Sequence, residues 1–219
     1  MAQVRFIYKI LLNYFGFQNW WPGDSDFEIA IGAILTQQAS WGNVEKAIQN
    51  LKKGNLIDIE KICNLNISDL EKYIRPSGYY HQKAAYLKYF SNYVIKNYGS
   101  LDNFFKLEKK QLRKELLSLK GIGPETADSI ILYAANKKTF VIDAYTRRIM
   151  ERVNGIRQDM PYDKMQKYFE KQIPDDLEIY KDLHAQLVKL GKEFCFKNSP
   201  ACIECPLSNV CKYKKIKNK

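Results

Sequence analysis

Long apolar runs are missing from this sequence of 219 residues. No stretch approaches the roughly 20 consecutive apolar residues that a membrane-spanning helix needs. The opening segment, MAQVRFIYKILLNYFGF, is interrupted by Lys9 and Asn13 and does not form a secretory pattern. We therefore expect a cytoplasmic protein without a membrane anchor.

Strand patterns, internal repeats and low-complexity linkers are also scarce or missing. Only TFVID, at 139–143, looks strand-like, and five such residues ahead of a helical run are more typical of an extended connector. Elsewhere apolar residues recur at intervals of three and four, and proline and glycine separate the runs. The sequence predicts an all-α fold built from roughly ten short helices.

Acidic residues are in short supply. The chain has 35 lysines and arginines against 24 aspartates and glutamates, a net charge of +11. Such an excess attracts polyanions. Nucleic acid is the favoured partner, because no long basic amphipathic helix suggests a membrane surface. An inert basic surface is the alternative on charge alone.

Cysteine is nearly absent until the last 25 residues, which hold four of the five. Their spacing is Cys195-x6-Cys202-x2-Cys205-x5-Cys211, and four clustered thiolates can bind zinc or a [4Fe–4S] cluster. Zinc ribbons prefer two Cys-x2-Cys pairs, whereas this chain has one, so the spacing favours the cluster and leaves zinc open. The isolated Cys63 is most simply a small buried apolar residue.

The segment LLSLKGIGPETADSIILYA (116–134) places two helical runs around the turn Gly121-Ile122-Gly123-Pro124. Glycine tolerates positive φ and close backbone approach, and proline suits the first position of a helix. The turn therefore offers free N–H groups and a positive helix end, which together suit a phosphate. A plain helix–helix turn is the competing interpretation.

Asp143 stands immediately before the helical run AYTRRIMERV. An aspartate there caps the helix, which stabilises by about 1 kcal/mol. A capping carboxylate accepts backbone hydrogen bonds and stays ionised. It would also be a fixed negative charge opposite a developing cation, and the two roles are compatible.

In this order, LKGIGPETADSI, VIDAYTRRI and the cysteine spacing resemble the helix-hairpin-helix DNA glycosylases of the endonuclease III superfamily. The similarity extends over nearly the whole chain, through AIGAILTQQASWGNVEKAI, SGYYHQKAAYL and HAQLVKLGKEFC. It implies a two-lobed all-α fold. Residues 22–132 would form a six-helix bundle ending in the hairpin. Residues 1–21 and 133–219 would form a helical lobe with the catalytic aspartate and a [4Fe–4S] loop.

The resemblance also assigns roles to residues. The hairpin, with Lys120, Gly121, Ile122 and Gly123, would bind DNA, and Asp143 would be the catalytic carboxylate. Gln38 falls where the family places a side chain that fills the gap left by the extruded base. The implied partner is double-stranded DNA with a damaged or mismatched base, bound by a monomer associated with the nucleoid.

Glu125 departs from part of that family. In the bifunctional members, the second residue after Gly-x-Gly is a lysine that forms a Schiff base with the sugar, and a carboxylate cannot replace that amine. We therefore favour a monofunctional glycosylase that uses water. A bifunctional glycosylase/lyase is the close alternative, and Lys120 is the nearest amine to the motif position.

Trp21, Pro22 and Trp41 are candidates for the base pocket. The segments WWP and RPSGYYHQKA are similar to the third family of 3-methyladenine DNA glycosylases. An aromatic sandwich suits a cationic alkylated purine, although tryptophans near helix ends are often core residues. Mismatch-specific and oxidised-pyrimidine members more often carry the cluster, which favours other substrates. A non-enzymatic iron–sulfur redox sensor that binds DNA is the distant alternative.

Overall fold

The computed structural model describes residues 3–217, and these residues contain helices and no strands. The all-α prediction is confirmed. The helices are α1 (Val4–Phe15), α2 (Asp26–Leu35), α3 (Trp41–Lys53), α4 (Ile59–Asn64), α5 (Ile67–Ile74), α6 (Tyr80–Tyr98), α7 (Leu101–Phe105), α8 (Lys109–Ser118), α9 (Pro124–Ser129), α10 (Ala144–Asn154), α11 (Tyr162–Glu170), α12 (Leu177–Glu193) and α13 (Lys212–Lys217). A 3₁₀ turn (Arg75–Ser77) precedes α6, and a π-helical segment (Ile130–Ala134) continues α9.

The chain divides into two compact units. Unit 1 combines the residues up to Trp21 with those from Lys138 onward, and unit 2 is the continuous stretch Pro22–Lys137. No helix among the described residues is long and apolar enough to cross a membrane.

In unit 1, helix α1 packs against α12, a helix much later in the chain. Helix α1 buries Val4, Ile7 and Leu11 and contacts α12. The buried carboxylate of Asp182 accepts a hydrogen bond from the Gln18 backbone N–H at 2.7 Å, across 164 positions of sequence. This bond gives the chain leaving α1 a fixed path.

Unit 2 is organised around α2, whose residues from Phe27 to Leu35 are all buried. Helix α2 contacts α3, α6, α9 and the π-helical segment. Such complete burial explains why the stretch carries a nearly continuous apolar sequence rather than an amphipathic one. Ser25 caps the helix and accepts a hydrogen bond from Glu28 N at 3.2 Å.

The strand-like segment 139–143 is an extended connector, as its length suggested. No strand lies beside the connector among the described residues. Side chains of α11 therefore form hydrogen bonds with its backbone N–H and C=O groups. Glu170 accepts from Phe140 N at 3.0 Å, Gln166 donates to Phe140 O at 2.8 Å, and Tyr162 accepts from Ile142 N at 3.2 Å. The connector thereby delivers Asp143 to the start of α10.

Candidate active site

Asp143 is the N-cap of α10 and is 8% exposed. Its Oδ1 accepts a hydrogen bond from Thr146 N at 2.7 Å. Its Oδ2 lies 3.7 Å from Nε2 of His184 on α12, which is an electrostatic contact longer than a hydrogen bond. Burial raises the pKa of Asp143, but the proximity of His184 and the N–H of Thr146 outweigh it and hold that pKa below its ordinary value. The carboxylate is therefore ionised.

Two further side chains of α12 shape the surroundings of Asp143, and sequence reasoning missed both. His184 is 5% exposed, and its ring meets the Phe140 ring edge-on at 6.3 Å between centroids. Lys192 interacts electrostatically with Asp143, and its Nζ lies 5.7 Å from the ring centroid of Trp20. Burial lowers the pKa of Lys192, and the charge of Asp143 opposes that change. Asp143 therefore has cationic or ionisable neighbours on one helix.

The end of α12 packs closely against the first turns of α10. A Cβ at Gly191 would lie 2.2 Å from Cδ1 of Tyr145, so that this approach requires glycine. Arg148 donates to Gly191 O at 3.2 Å and to Cys195 O at 2.8 Å. The turn that presents Asp143 is thus attached to the start of the cysteine loop.

The four C-terminal cysteines line one largely apolar pocket of unit 1. Arg152 donates to Cys195 Sγ at 3.2 Å, and the Cys211 thiol donates to Arg152 O at 3.4 Å. Burial raises the pKa of the Cys205 thiol to about 11, and the neighbouring thiols add to this. A bound cation would supply the charge needed to stabilise thiolates here.

Four thiols are the donor chemistry of a zinc or [4Fe–4S] site. All four thiols are free of disulfides and open onto the same pocket. Within residues 3–217, no three ligating side chains are gathered closely enough to hold a metal ion. The four-cysteine [4Fe–4S] site therefore stays a prediction.

The hairpin of unit 2 joins α8 to α9 through a tight turn. Gly121 has φ +85°, and a Cβ there would lie 2.4 Å from the Tyr86 ring. The side chain of Ile122 is 5% exposed. Arg113 of α8 makes a two-pronged ion pair with the fully buried Asp128 of α9, at 2.8 and 3.1 Å. These contacts fix the angle between the two helices.

The predicted DNA-binding residues of the hairpin fall into two groups. Lys120 and Gly123 are exposed, and Gly121 is half-buried. Glu125, at the predicted lyase position, is also exposed. Ile122 packs into the interior, and its backbone N–H donates to Leu119 O at 3.1 Å. Gln38 is exposed, with a positive φ of +52°.

Two of the three residues predicted for the base pocket lie in unit 2. Pro22 and Trp41 line one cavity of about 260 Å³ in unit 2. Its other lining residues include Glu28, which is 3% exposed and whose carboxylate pairs with Lys52 at 2.7 Å. Trp21 belongs to unit 1 and is half-buried.

Comparison with known proteins decides the family. The model of the HhH-GPD superfamily of base excision DNA repair proteins matches residues 31–175. The chain is also 47% identical, over 94% of both sequences, to a protein of Methanocaldococcus jannaschii named as a DNA repair glycosylase.

The chain belongs to the HhH-GPD superfamily.

Two solved structures are similar to this HhH-GPD protein. An H. pylori 3-methyladenine DNA glycosylase (MagIII) bound to 1,N6-ethenoadenine has 31% identity and a TM-score of 0.80, covering 88% of this chain and 98% of its own. A non-covalent endonuclease III–DNA complex has a TM-score of 0.84 and 23% identity, covering 100% of this chain and 99% of its own. At that identity the similarity shows the fold alone. The resemblance drawn from the sequence is confirmed, and the chain is a base-excision DNA repair glycosylase.

Metal analysis tests the cysteine loop of this HhH-GPD protein. If Cys195, Cys202, Cys205 and Cys211 bind [4Fe–4S], the purified protein should be yellow-brown with about four irons per chain. Replacing Cys205 by serine should lower the iron content sharply. The matched change Cys63→Ser should leave it unaltered, because Cys63 is in α4 of unit 2. One zinc and no iron by elemental analysis would show that the cluster assignment is wrong.

Proposed function

We propose that this HhH-GPD protein is a monofunctional DNA glycosylase, which hydrolyses the N-glycosidic bond of a flipped base and leaves the strand intact. The observation that carries the proposal is the buried, ionised carboxylate of Asp143, with one oxygen capping α10 and the other directed towards His184. Cleavage of the bond leaves positive charge on the sugar, and a fixed carboxylate stabilises such charge most effectively where water is excluded. The same carboxylate can orient the attacking water.

Glu125 supports the monofunctional half of the proposal. It is exposed in the first turn of α9, at the position where bifunctional relatives carry the Schiff-base lysine. An acid in a first helical turn is favourable to the helix, but it cannot attack the sugar as an amine. Water is then the nucleophile, and no covalent intermediate forms.

An alkylated purine is the proposed substrate class. The similarity to a 3-methyladenine glycosylase at 31% identity supports this class, and so do the half-buried Trp41 and the exposed Pro22 on one cavity. A purine alkylated at N3, such as 3-methyladenine, is a cation in DNA and leaves readily, which fits a site whose identified acid is ionised. Incubation with duplexes that each carry one lesion or mismatch tests this class, and excision confined to mismatched or oxidised pyrimidines would overturn it.

Strand integrity tests the monofunctional assignment. We expect product DNA to stay whole until alkali is added, and borohydride to trap no enzyme–DNA complex. Glu125→Lys should introduce trapping by supplying an amine, whereas the Glu125→Gln control, which only removes the charge, should not. Efficient trapping by the unmodified enzyme would contradict the proposal and make Lys120 the first lysine to replace.

A pH profile tests the contribution of His184. The pKa of Asp143 lies below its ordinary value of 3.8 while His184 is present. In His184→Gln the burial that raises this pKa remains and the opposing contribution is lost. The acid side of the single-turnover excision profile should therefore move to higher pH, because Asp143 becomes protonated sooner as pH falls. Identical profiles for the two proteins would exclude His184 from this role.

A further inference from the structure

Gln37, the neighbour of the predicted gap-filling residue, is bonded to the hairpin. Its Nε2 donates to Gly121 O at 2.8 Å and to Thr126 Oγ1 at 3.0 Å. One acceptor lies in the turn and the other lies in the first turns of α9. The two bonds use both N–H groups of the carboxamide and therefore fix its orientation. The loop after α2 is thereby attached to the hairpin across more than 80 positions of sequence.

Gln38 has a backbone conformation that needs such support. Its φ of +52° is unfavourable for a residue with a side chain, and such conformations persist where the surroundings over-determine them. Gln37 fixes the loop at the position immediately before Gln38. The side chain of Gln38 is exposed, so the loop presents it to solvent in one backbone state.

A buried lysine holds the other side of the same loop. Lys83 is 2% exposed, and its Nζ donates to Leu35 O at 2.8 Å and to Ser77 O at 2.6 Å. Leu35 is the last residue of α2, where a cation stabilises the helix end. Lys83 belongs to the segment SGYYHQKAAYL, to which the catalytic scheme assigns no role.

Helix α6 supports the hairpin as well as the loop. Tyr86 lies one turn after Lys83, and its ring is the surface against which Gly121 packs. The loop that carries Gln38 and the turn of the hairpin are therefore held by the same helix and tied to each other by Gln37. All of these residues belong to unit 2.

We infer that Gln37 is a positioning residue, which fixes Gln38 at a set distance from the hairpin before DNA binds. This inference rests on the proposed glycosylase function and on the roles that the family resemblance implies, with the hairpin binding DNA and Gln38 filling the gap left by the flipped base. A preformed spacing removes the cost of ordering the loop on binding. That benefit applies to DNA with a gap to fill and not to intact duplex. Gln37 therefore contributes to discrimination without touching the DNA.

Binding to two duplexes tests the inference. One carries a tetrahydrofuran abasic analogue, and the other is the same duplex undamaged. Gln37→Leu, which removes both donated bonds, should weaken binding to the analogue by about ten-fold and to undamaged DNA by less than about two-fold. Gln111→Leu is the matched control, because Gln111 bonds Glu115 on its own helix α8. It should change neither affinity.

A double-mutant cycle separates positioning from general stability. If Gln37 acts through Gln38, Gln37→Leu should have no further effect on analogue binding once Gln38→Ala is present. If the affinity losses of the two substitutions add, Gln37 does not act through Gln38 and the inference is overturned. Equal affinity losses on both duplexes, with a lowered melting temperature, would likewise show that Gln37 has only a structural role. If Gln38→Ala alone leaves analogue binding intact, the gap-filling role fails and the inference with it. Absence of excision on every lesion would refute the glycosylase mechanism separately, through a different assay.

Discussion

Asp143→Asn is expected to slow base excision by at least about 10²-fold, the cost of losing a main electrostatic stabiliser of the transition state. The substitution keeps an oxygen to accept the hydrogen bond from Thr146 N, which Asp143 Oδ1 accepts at 2.7 Å, and asparagine caps helices about as well as aspartate. The loss should therefore appear in the single-turnover rate and not in the melting temperature.

DNA binding by the same variant should be unchanged or slightly tighter. Removing a negative charge helps association with phosphates, most visibly at low salt. Asp143→Ala provides the contrast, because it also removes the cap and should destabilise by about 1 kcal/mol. Near-normal excision by Asp143→Asn would restrict Asp143 to its capping role.

The two glycines of the hairpin turn are expected to respond to alanine with very different changes in stability. Gly121→Ala places a side chain at φ +85° and a Cβ 2.4 Å from the Tyr86 ring. Left-handed backbone costs about 1–2 kcal/mol and overpacking about 1–3 kcal/mol. We expect a loss of roughly 2–5 kcal/mol in the free energy of unfolding, together with a large loss of DNA affinity.

Gly123→Ala is the matched comparison. Gly123 has an extended backbone, φ −90° and ψ 177°, and no atom lies within 4 Å of the position of a Cβ. Alanine restricts the unfolded chain, which stabilises by about 0.4–1 kcal/mol, but Gly123 is the N-cap of α9 and alanine caps less well than glycine, so the free energy of unfolding should change little. If DNA approaches this turn closely, affinity should still fall, since the added methyl occupies the approach. An unchanged affinity would place the DNA contact elsewhere; urea unfolding and equilibrium binding measure the two quantities.

Local sequence patterns were sufficient to predict the fold class. Helical periodicity and breakers predict the all-α class, and the position of Pro124 predicts the start of α9. The π-helical segment Ile130–Ala134 was not predictable, because its apolar residues also fit an ordinary α-helix. For the same reason the sequence could not reveal that Ile122 is packed inside the turn rather than presented on it.

Site residues whose roles depend on tertiary contacts could not be predicted from the sequence. Asp143 was recognisable because a helix cap is a local feature of the sequence. His184 matters because it lies near Asp143, which is far from it in the chain. Lys83 is an extreme case, since a lysine is expected at the surface and here is buried against two backbone carbonyls. In the sequence LTQQAS nothing distinguishes the exposed Gln38 from Gln37, whose bonds to the hairpin are visible only in the fold.

Unit 1 is built from two separate stretches of the chain, and this sets the order in which the two units can fold during synthesis. Helix α1 leaves the ribosome before unit 2, but Asp182, which fixes the chain after α1, follows Gln18 by 164 positions. At about 5–20 residues per second, this interval lasts roughly ten to thirty seconds. Unit 2 is continuous and is completed within that time. The apolar face formed by Val4, Ile7 and Leu11 is covered only when α12 has been made, so a helix synthesised before unit 2 completes its packing after unit 2.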